Sequence, residues 1–256
     1  MTAHSLPLLG RRVLVTGGHR RLGRAVALDL AAAGADIAVH HRHAGEEAMA
    51  VAQEIRALGR RAVVLQAELT EPARVAALLA HVSGFLGGLD LVVACAASYE
   101  PTPVEHLSAA DLDRVLTCNA RAPIDLVLQA RPLLQASPDG RAVIFGDLAG
   151  VVPLRGYLAH SMAKAALHAG VQALAAELAP HIVVNAVVPG AVLRPADMRD
   201  DAWARVQNAV PMSGLLEHDP EAGVAAIVQA VRHLATRSRF VTGALHRVDG
   251  GRSARW

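Results

Sequence analysis

Short apolar runs alternate along the chain with longer stretches in which apolar residues recur every three or four positions. The runs are Val13-Leu14-Val15, Ile37-Ala38-Val39, Ala62 to Gln66, Leu89 to Ala94, Ala142 to Phe145, Ile182 to Val188 and Ala244 to Val248. They are continuous rather than alternating with polar residues, so they predict strands covered on both faces. The periodic stretches predict helices from about Arg21 to Ala33, Glu46 to Leu58, Glu71 to Phe85, Ala109 to Gln135 and Gly156 to Ala179. Gly34 and Gly59 close the first two. This order predicts an α/β fold: a single doubly wound parallel sheet of about seven strands with helices on both faces. No repeat or Pro/Ser-rich linker divides the chain, so residues 1–256 are expected to form one domain. The stretch Pro189 to Asp219 breaks the rhythm and reads as irregular. Beyond the carboxyl end of a strand, such a stretch is expected to cover the ligand crevice as a lid.

Composition narrows the class. Hydrophobic residues make up 53% of 256 residues and charged ones 19%, too apolar a balance for a disordered chain. Aromatics at 3% and a net charge of +2 argue against base stacking and against binding nucleic acid or an anionic membrane. No uncharged apolar run reaches the roughly 18 residues of a transmembrane helix. Met1 to Gly10 lacks the basic flank and apolar core of a signal peptide, and two cysteines, Cys95 and Cys118, make neither a disulfide framework nor a zinc site. The expectation is a cytoplasmic protein acting on a small molecule, with no metal.

Candidate chemistry begins at the first strand–helix turn, Thr16-Gly17-Gly18-His19-Arg20-Arg21-Leu22-Gly23. Glycines there let backbone N–H groups approach a pyrophosphate at the helix N-terminus. Arg21 stands where many such turns have another glycine, and its charge could reach phosphate or substrate. The second strand ends His40-His41-Arg42-His43, with no carboxylate before Glu46. A carboxylate there would bond the ribose of NAD, whereas Arg42 can pair with a 2′-phosphate and His40 or His43 can add donors. The turn and strand end therefore point to NADPH/NADP+.

With these landmarks the sequence resembles the short-chain dehydrogenase/reductase family over nearly its whole length. Further matches are Glu68-Leu69, Asn119, Lys164 within Ser161-Met162-Ala163-Lys164-Ala165-Ala166-Leu167, Asn185 with Pro189-Gly190, and Val248-Asp249-Gly250-Gly251. Arg21, the His-x-Arg strand end, Pro101-Thr102-Pro103 and Asp147 resemble most the pteridine reductases and dihydromonapterin/dihydrofolate reductases. The resemblance implies a Rossmann-like sheet and hydride transfer from a nicotinamide. It implies a cofactor site of Gly17, His19, Arg20, Arg21, Leu22, Gly23, His41, Arg42, His43, Glu68, Leu69, Ala94, Lys164, Pro189, Gly190 and Val192. Catalytic positions would be Asp147, His160, Lys164 and Asn119, and Arg21, Tyr99 and Tyr157 would meet substrate.

Two positions depart from the family. Its catalytic tyrosine, four residues before the lysine, is His160 here, and its Asn-Asn-Ala-Gly becomes Ala94-Cys95-Ala96-Ala97. A protonated imidazole is a stronger acid than a phenol, and Asp147 and Lys164 act on its charge in opposite directions. An imine nitrogen needs only an acid of near-neutral strength, so the change favours C=N over C=O reduction, with a pterin, a dihydrofolate or another cyclic imine as substrate. The alternatives are non-redox isomerase or cyclase chemistry, or a catalytically silent binding protein. Tyr157, two turns before Lys164, reads as a wall of the substrate site. A homotetramer or homodimer is expected through the Ala-rich helices that start near Ala109 and Gly156.

Overall fold

The apolar runs form seven parallel strands: β1 (Arg12–Thr16), β2 (Asp36–His41), β3 (Ala62–Gln66), β4 (Leu91–Ala94), β5 (Gly140–Phe145), β6 (Ile182–Pro189) and β7 (Leu245–Val248). The computed structural model describes residues 6–195, 198–219, 221–236 and 238–254. The strand order is β3-β2-β1-β4-β5-β6-β7, all pairs parallel. Because the winding reverses between β1 and β4, the loops after these strands diverge and leave a crevice at their carboxyl ends.

Strand side chains alternate between two cores, and both are apolar. Val13 and Val15 face one core with Ile37, Val39, Leu91 and Val93, while Leu14 faces the other with Ala38, Val92 and Ala94. The helices α1 (Arg21–Ala32) and α2 (Gly45–Ala57) cover the first core, and α3 (Pro72–Leu86) the second. Double coverage explains why the strands read as unbroken apolar runs.

The expected long helix over Ala109 to Gln135 is two helices, α4 (Ala109–Leu116) and α5 (Ala122–Gln135), joined by a π-helical turn, Thr117–Arg121. A capping box starts α4: Ser108 Oγ accepts from the Asp111 N–H, and Asp111 accepts from the Ser108 N–H. α6 (Leu158–Leu178) carries Lys164.

The segment expected to be irregular contains α7 (Asp200–Asn208) and α8 (Ser213–His218), and positions 196 and 197 of the expected lid lie outside the described residues. α7 buries no residue, so it has no apolar stripe for periodicity to detect. After it comes α9 (Ala222–Thr236), a helix the sequence reading leaves out. Val224, Ile227, Val231 and Leu234 are buried on one face of it, and all but Val224 join the first core beside α1. Their spacing of three and four was a readable signal. No helix among the described residues is long and apolar enough to cross a membrane.

Candidate functional site

The Gly-rich turn leaves β1 through Thr16, which is buried and pairs with Ala94. Thr16 Oγ1 accepts from the N–H groups of Cys95 and Ala96 at 3.0 and 3.1 Å, so it holds the loop after β4 against the turn. Gly17 has φ +63°, and a Cβ on it would lie 3.2 Å from Ala96 Cα. A Cβ on Gly23 would lie 2.2 Å from Gly17 O, so only glycine lets α1 begin this close to the turn. Leu22 packs on the first core.

Arg21 occupies left-handed backbone at φ +49°. Its guanidinium donates to the carbonyls of Leu193 and Arg194, both at 2.9 Å, and so ties the turn to the segment after β6. Within that segment Arg194 bonds Met198 O and Asp200. β6 ends at Pro189, the Gly190 N–H donates to Val248 O at 2.9 Å, and Val192 packs on the first core.

The histidines after β2 divide into different environments. His40 is no phosphate donor: its Nδ1 accepts from the Gly17 N–H at 3.2 Å and its Nε2 meets Ala67 O at 3.1 Å. This fixes a neutral ring with the proton on Nε2, and burial pushes its pKa down to about 4. The sequence reading that gave His40 to the 2′-phosphate is corrected by these bonds. His41 points to the opposite side of the strand, edge-on to His19 with centroids 6.5 Å apart, and Nδ1 of both rings is buried without a partner. Burial lowers the pKa of both, helped by Arg20 at His19 and by His43 at His41. Arg42 pairs with Glu68 at 2.7 Å. The Glu68 carboxylate also accepts from the Thr70 N–H and hydroxyl, and the Glu68 carbonyl accepts from the Glu71 N–H at 3.3 Å.

The second cluster lies at the carboxyl ends of β4 and β5. Asp147 follows β5, and its Oδ1 accepts from the Ala149 N–H at 2.7 Å. Its Oδ2 lies 3.4 Å from His160 Nε2, and neither ring nitrogen of His160 has an aligned hydrogen-bond partner. Burial pushes Asp147 up, but His160, Lys164 and the Ala149 N–H outweigh it and hold the carboxylate below its usual range. Lys164, one turn after His160, donates from Nζ to Phe145 O at 2.9 Å. Burial lowers its pKa against the pull of Asp147, Cys95 and Cys118. Cys95 itself is pushed up to about 12 by burial, an inert thiol.

Asn119 sits in the π-helical turn. Its Oδ1 accepts from the Ser98 N–H at 2.9 Å and its Nδ2 donates to Ser98 Oγ at 3.0 Å, which fixes the chain entering Tyr99. Tyr99 stacks on Tyr157 with centroids 4.6 Å apart and meets the His160 ring edge-on at 5.1 Å. Burial and the Tyr157 hydroxyl push the Tyr99 phenol up. The sequence reading omits His168, buried one turn beyond Lys164 with its Nε2 beside the Asp147 N–H. Its spacing from Lys164 was the available signal.

Comparison with known proteins follows the same residues. Residues 11–206 match the family model described as short chain dehydrogenase. The chain is 33% identical over 218 residues to hydroxynaphthalene reductase of Aspergillus fumigatus, covering 84% of this chain and 78% of that protein. It is similar to a short chain dehydrogenase from Burkholderia cenocepacia crystallised with NADP, at 34% identity and a TM-score of 0.84 over 96% of this chain and 99% of that one. FolM alternative dihydrofolate reductase 1 from Brucella canis, also complexed with NADP, gives 29% identity and a TM-score of 0.88 over 99% and 98%.

Proposed function

Because the chain belongs to the short-chain dehydrogenase family, we propose that it is an NADPH-dependent reductase of a cyclic C=N bond, pterin-like or dihydrofolate-like. The cofactor fits the residues present. Gly17 and Gly23 leave the backbone of the turn open, and the buried, unpartnered Nδ1 atoms of His19 and His41 would be available to bond a 2′-phosphate on the adenosine ribose. Arg20 and Arg42 supply positive charge there, and the preference for NADPH over NADH is about tenfold, the value of one charge-assisted bond. When bound, the nicotinamide supplies the hydride.

One observation carries the choice of reaction. A buried imidazole with both nitrogens unbonded faces a carboxylate at 3.4 Å, beside a stacked pair of tyrosines. His160 would supply the proton to the substrate nitrogen. Asp147 stabilises the imidazolium before transfer and orients the ring. Lys164, anchored on Phe145 O, would hold the cofactor's ribose, while Tyr99 and Tyr157 offer a flat surface to a planar ring. Arg21, tied to the carbonyls of Leu193 and Arg194, would cover the crevice beside the turn and limit the entry of water.

A C=O reading is kept alive by the similarity to a hydroxynaphthalene reductase. Turnover with NADPH deuterated at C4 decides between them and against non-redox chemistry. Deuterium on a carbon next to nitrogen in a dihydropteridine or dihydrofolate supports the proposal, and label in an aromatic ketone panel alone supports C=O reduction. No label in any product, with NADPH bound, overturns the reductase reading. The same reading includes a homo-oligomer formed through α4, α5 and α6, which light scattering at micromolar concentration tests.

A further inference from the structure

α6 carries another buried imidazole on the face that holds His160 and Lys164. Positions 160, 164 and 168 are one helical turn apart, so their side chains form a column. His168 is 5% exposed, and its Nε2 accepts from the Asp147 N–H at 3.4 Å. The carboxylate of the same aspartate faces His160. Asp147 is thus bracketed by two imidazoles two turns apart on α6, one at its main-chain N–H and one at its side chain.

The turn after β5 is shaped around the His168 ring. A Cβ at Gly146 would lie 2.5 Å from His168 Nε2, and one at Gly150 would lie 2.7 Å from its Cε1. Neither glycine has a positive φ: at Gly146 the imidazole takes the space a Cβ would need, while at Gly150 the α6 backbone at Lys164 and Ala165 stands as close as the ring. An N–H can bond only an imidazole nitrogen that carries no proton, so His168 is held as the neutral ring protonated on Nδ1.

We propose that neutral His168 is a positioning residue that aims the Asp147 carboxylate at His160, and that protonation of His168 removes this acceptor and stops proton delivery at acid pH. This rests on the reading of Asp147 and His160 as the proton-handling pair. Facing His168 are Lys164 on its own helix, Asp147 in the turn after β5 and Arg247 on β7. Burial and Lys164 lower its pKa against the opposite pull of Asp147, with Arg247 adding to the lowering. The neutral form therefore persists below the ordinary histidine range.

Long-range ¹H–¹⁵N correlation spectra of the full chain with labelled histidine read the tautomer without any turnover. A protonated Nδ1 and a bare Nε2 on His168 at pH 7 are expected, and a proton on Nε2 overturns the proposal. His168→Leu and His168→Gln then separate positioning from packing, since the Gln amide oxygen accepts a hydrogen bond and does not titrate. His168→Leu is expected to lower kcat at least tenfold with KM for NADPH within twofold. His168→Gln is expected to retain kcat within threefold and to lose the part of the acid-side fall that His168 contributes. Equal losses in both variants, or coincident acid limbs for wild type and His168→Gln, overturn it. If the wild type reduces nothing, the reductase reading fails and the Asp147 amide decides: faster hydrogen exchange in His168→Leu but not in His168→Gln sustains positioning, and identical exchange in both refutes it.

Discussion

The end of β2 and the first turns of α6 each bury a histidine, at 2% exposure in both cases, yet the two rings are in opposite states. His40 has both nitrogens bonded to backbone, one to the Gly17 N–H and one to Ala67 O. His160 has neither nitrogen bonded in alignment, although Asp147 stands 3.4 Å away. A bonded ring is a strut that fixes the shape of the phosphate-binding turn. An unbonded buried ring leaves a desolvation cost of roughly 1–3 kcal/mol per group uncompensated, and such a deficit is tolerated where a ligand supplies the missing partner. Burial is the same at the two positions, so bonding is what separates scaffold from site.

The sharpest break in this comparison is His160→Phe, which keeps a ring in place and removes the proton. It is expected to lower kcat by about 10²–10⁴-fold, the usual worth of a general acid, while the dissociation constant for NADPH stays within twofold by fluorescence titration.

His40 predicts a different signature, in stability and not in rate. Held down to about 4, it stays neutral in the fold where an unfolded imidazole, near 6.5, has taken up a proton. The unfolded chain therefore binds more protons between those values, and stability falls as pH drops from about 6.5 towards 4, by about 3 kcal/mol in full. Urea unfolding at pH 7 and pH 4.5 measures the fall. His40→Gln, which can bond without titrating, should flatten it.

Arg42→Ala probes the surface side of the same strand end. It should reduce the NADPH-over-NADH preference by about tenfold, and Glu68→Gln, which frees Arg42 from its 2.7 Å partner, should increase it. Competitive titration with both cofactors checks the two variants together.

The smallest effect on stability is expected at Arg21→Gly. Relief of the left-handed backbone gains about 1–2 kcal/mol, and the two lost carbonyl bonds cost about 1 kcal/mol each, so unfolding free energy should change little. What changes is the tie to Leu193 and Arg194. Limited trypsin digestion should cut at Arg199 or Arg205 faster in the variant.

The sheet was legible in the sequence because its strands are buried on both faces, which leaves unbroken apolar runs such as Val13-Leu14-Val15. α7 was not legible, since no residue of it is buried and its pattern is set by charge pairs such as Arg199 with Asp201. α9 is legible from the spacing of Val224, Ile227, Val231 and Leu234. At the site, the column of His160 and Lys164 followed from helical spacing, and His168 obeys the same spacing one turn further on. The roles of His40 and His41 could not be read from adjacent letters. Which one turns toward Gly17 depends on how the end of β2 lies beside the turn after β1, a relation that exists only in three dimensions.

The π-helical turn at Thr117–Arg121 has a consequence in helical phase. One residue beyond regular α winding rotates everything downstream by about 100° about the axis. α4 can therefore set Val115 against Ala159 and Ala163 of α6, while α5, almost in line with it, sets Leu126, Val127, Ala130 and Leu134 against the sheet. A continuous helix could not present both stripes in those directions. Asn119 lies at the change of phase, so deleting one residue from this turn would do more than shorten a helix. It would turn one half of a shaft against the other and carry the Asn119 amide away from Ser98.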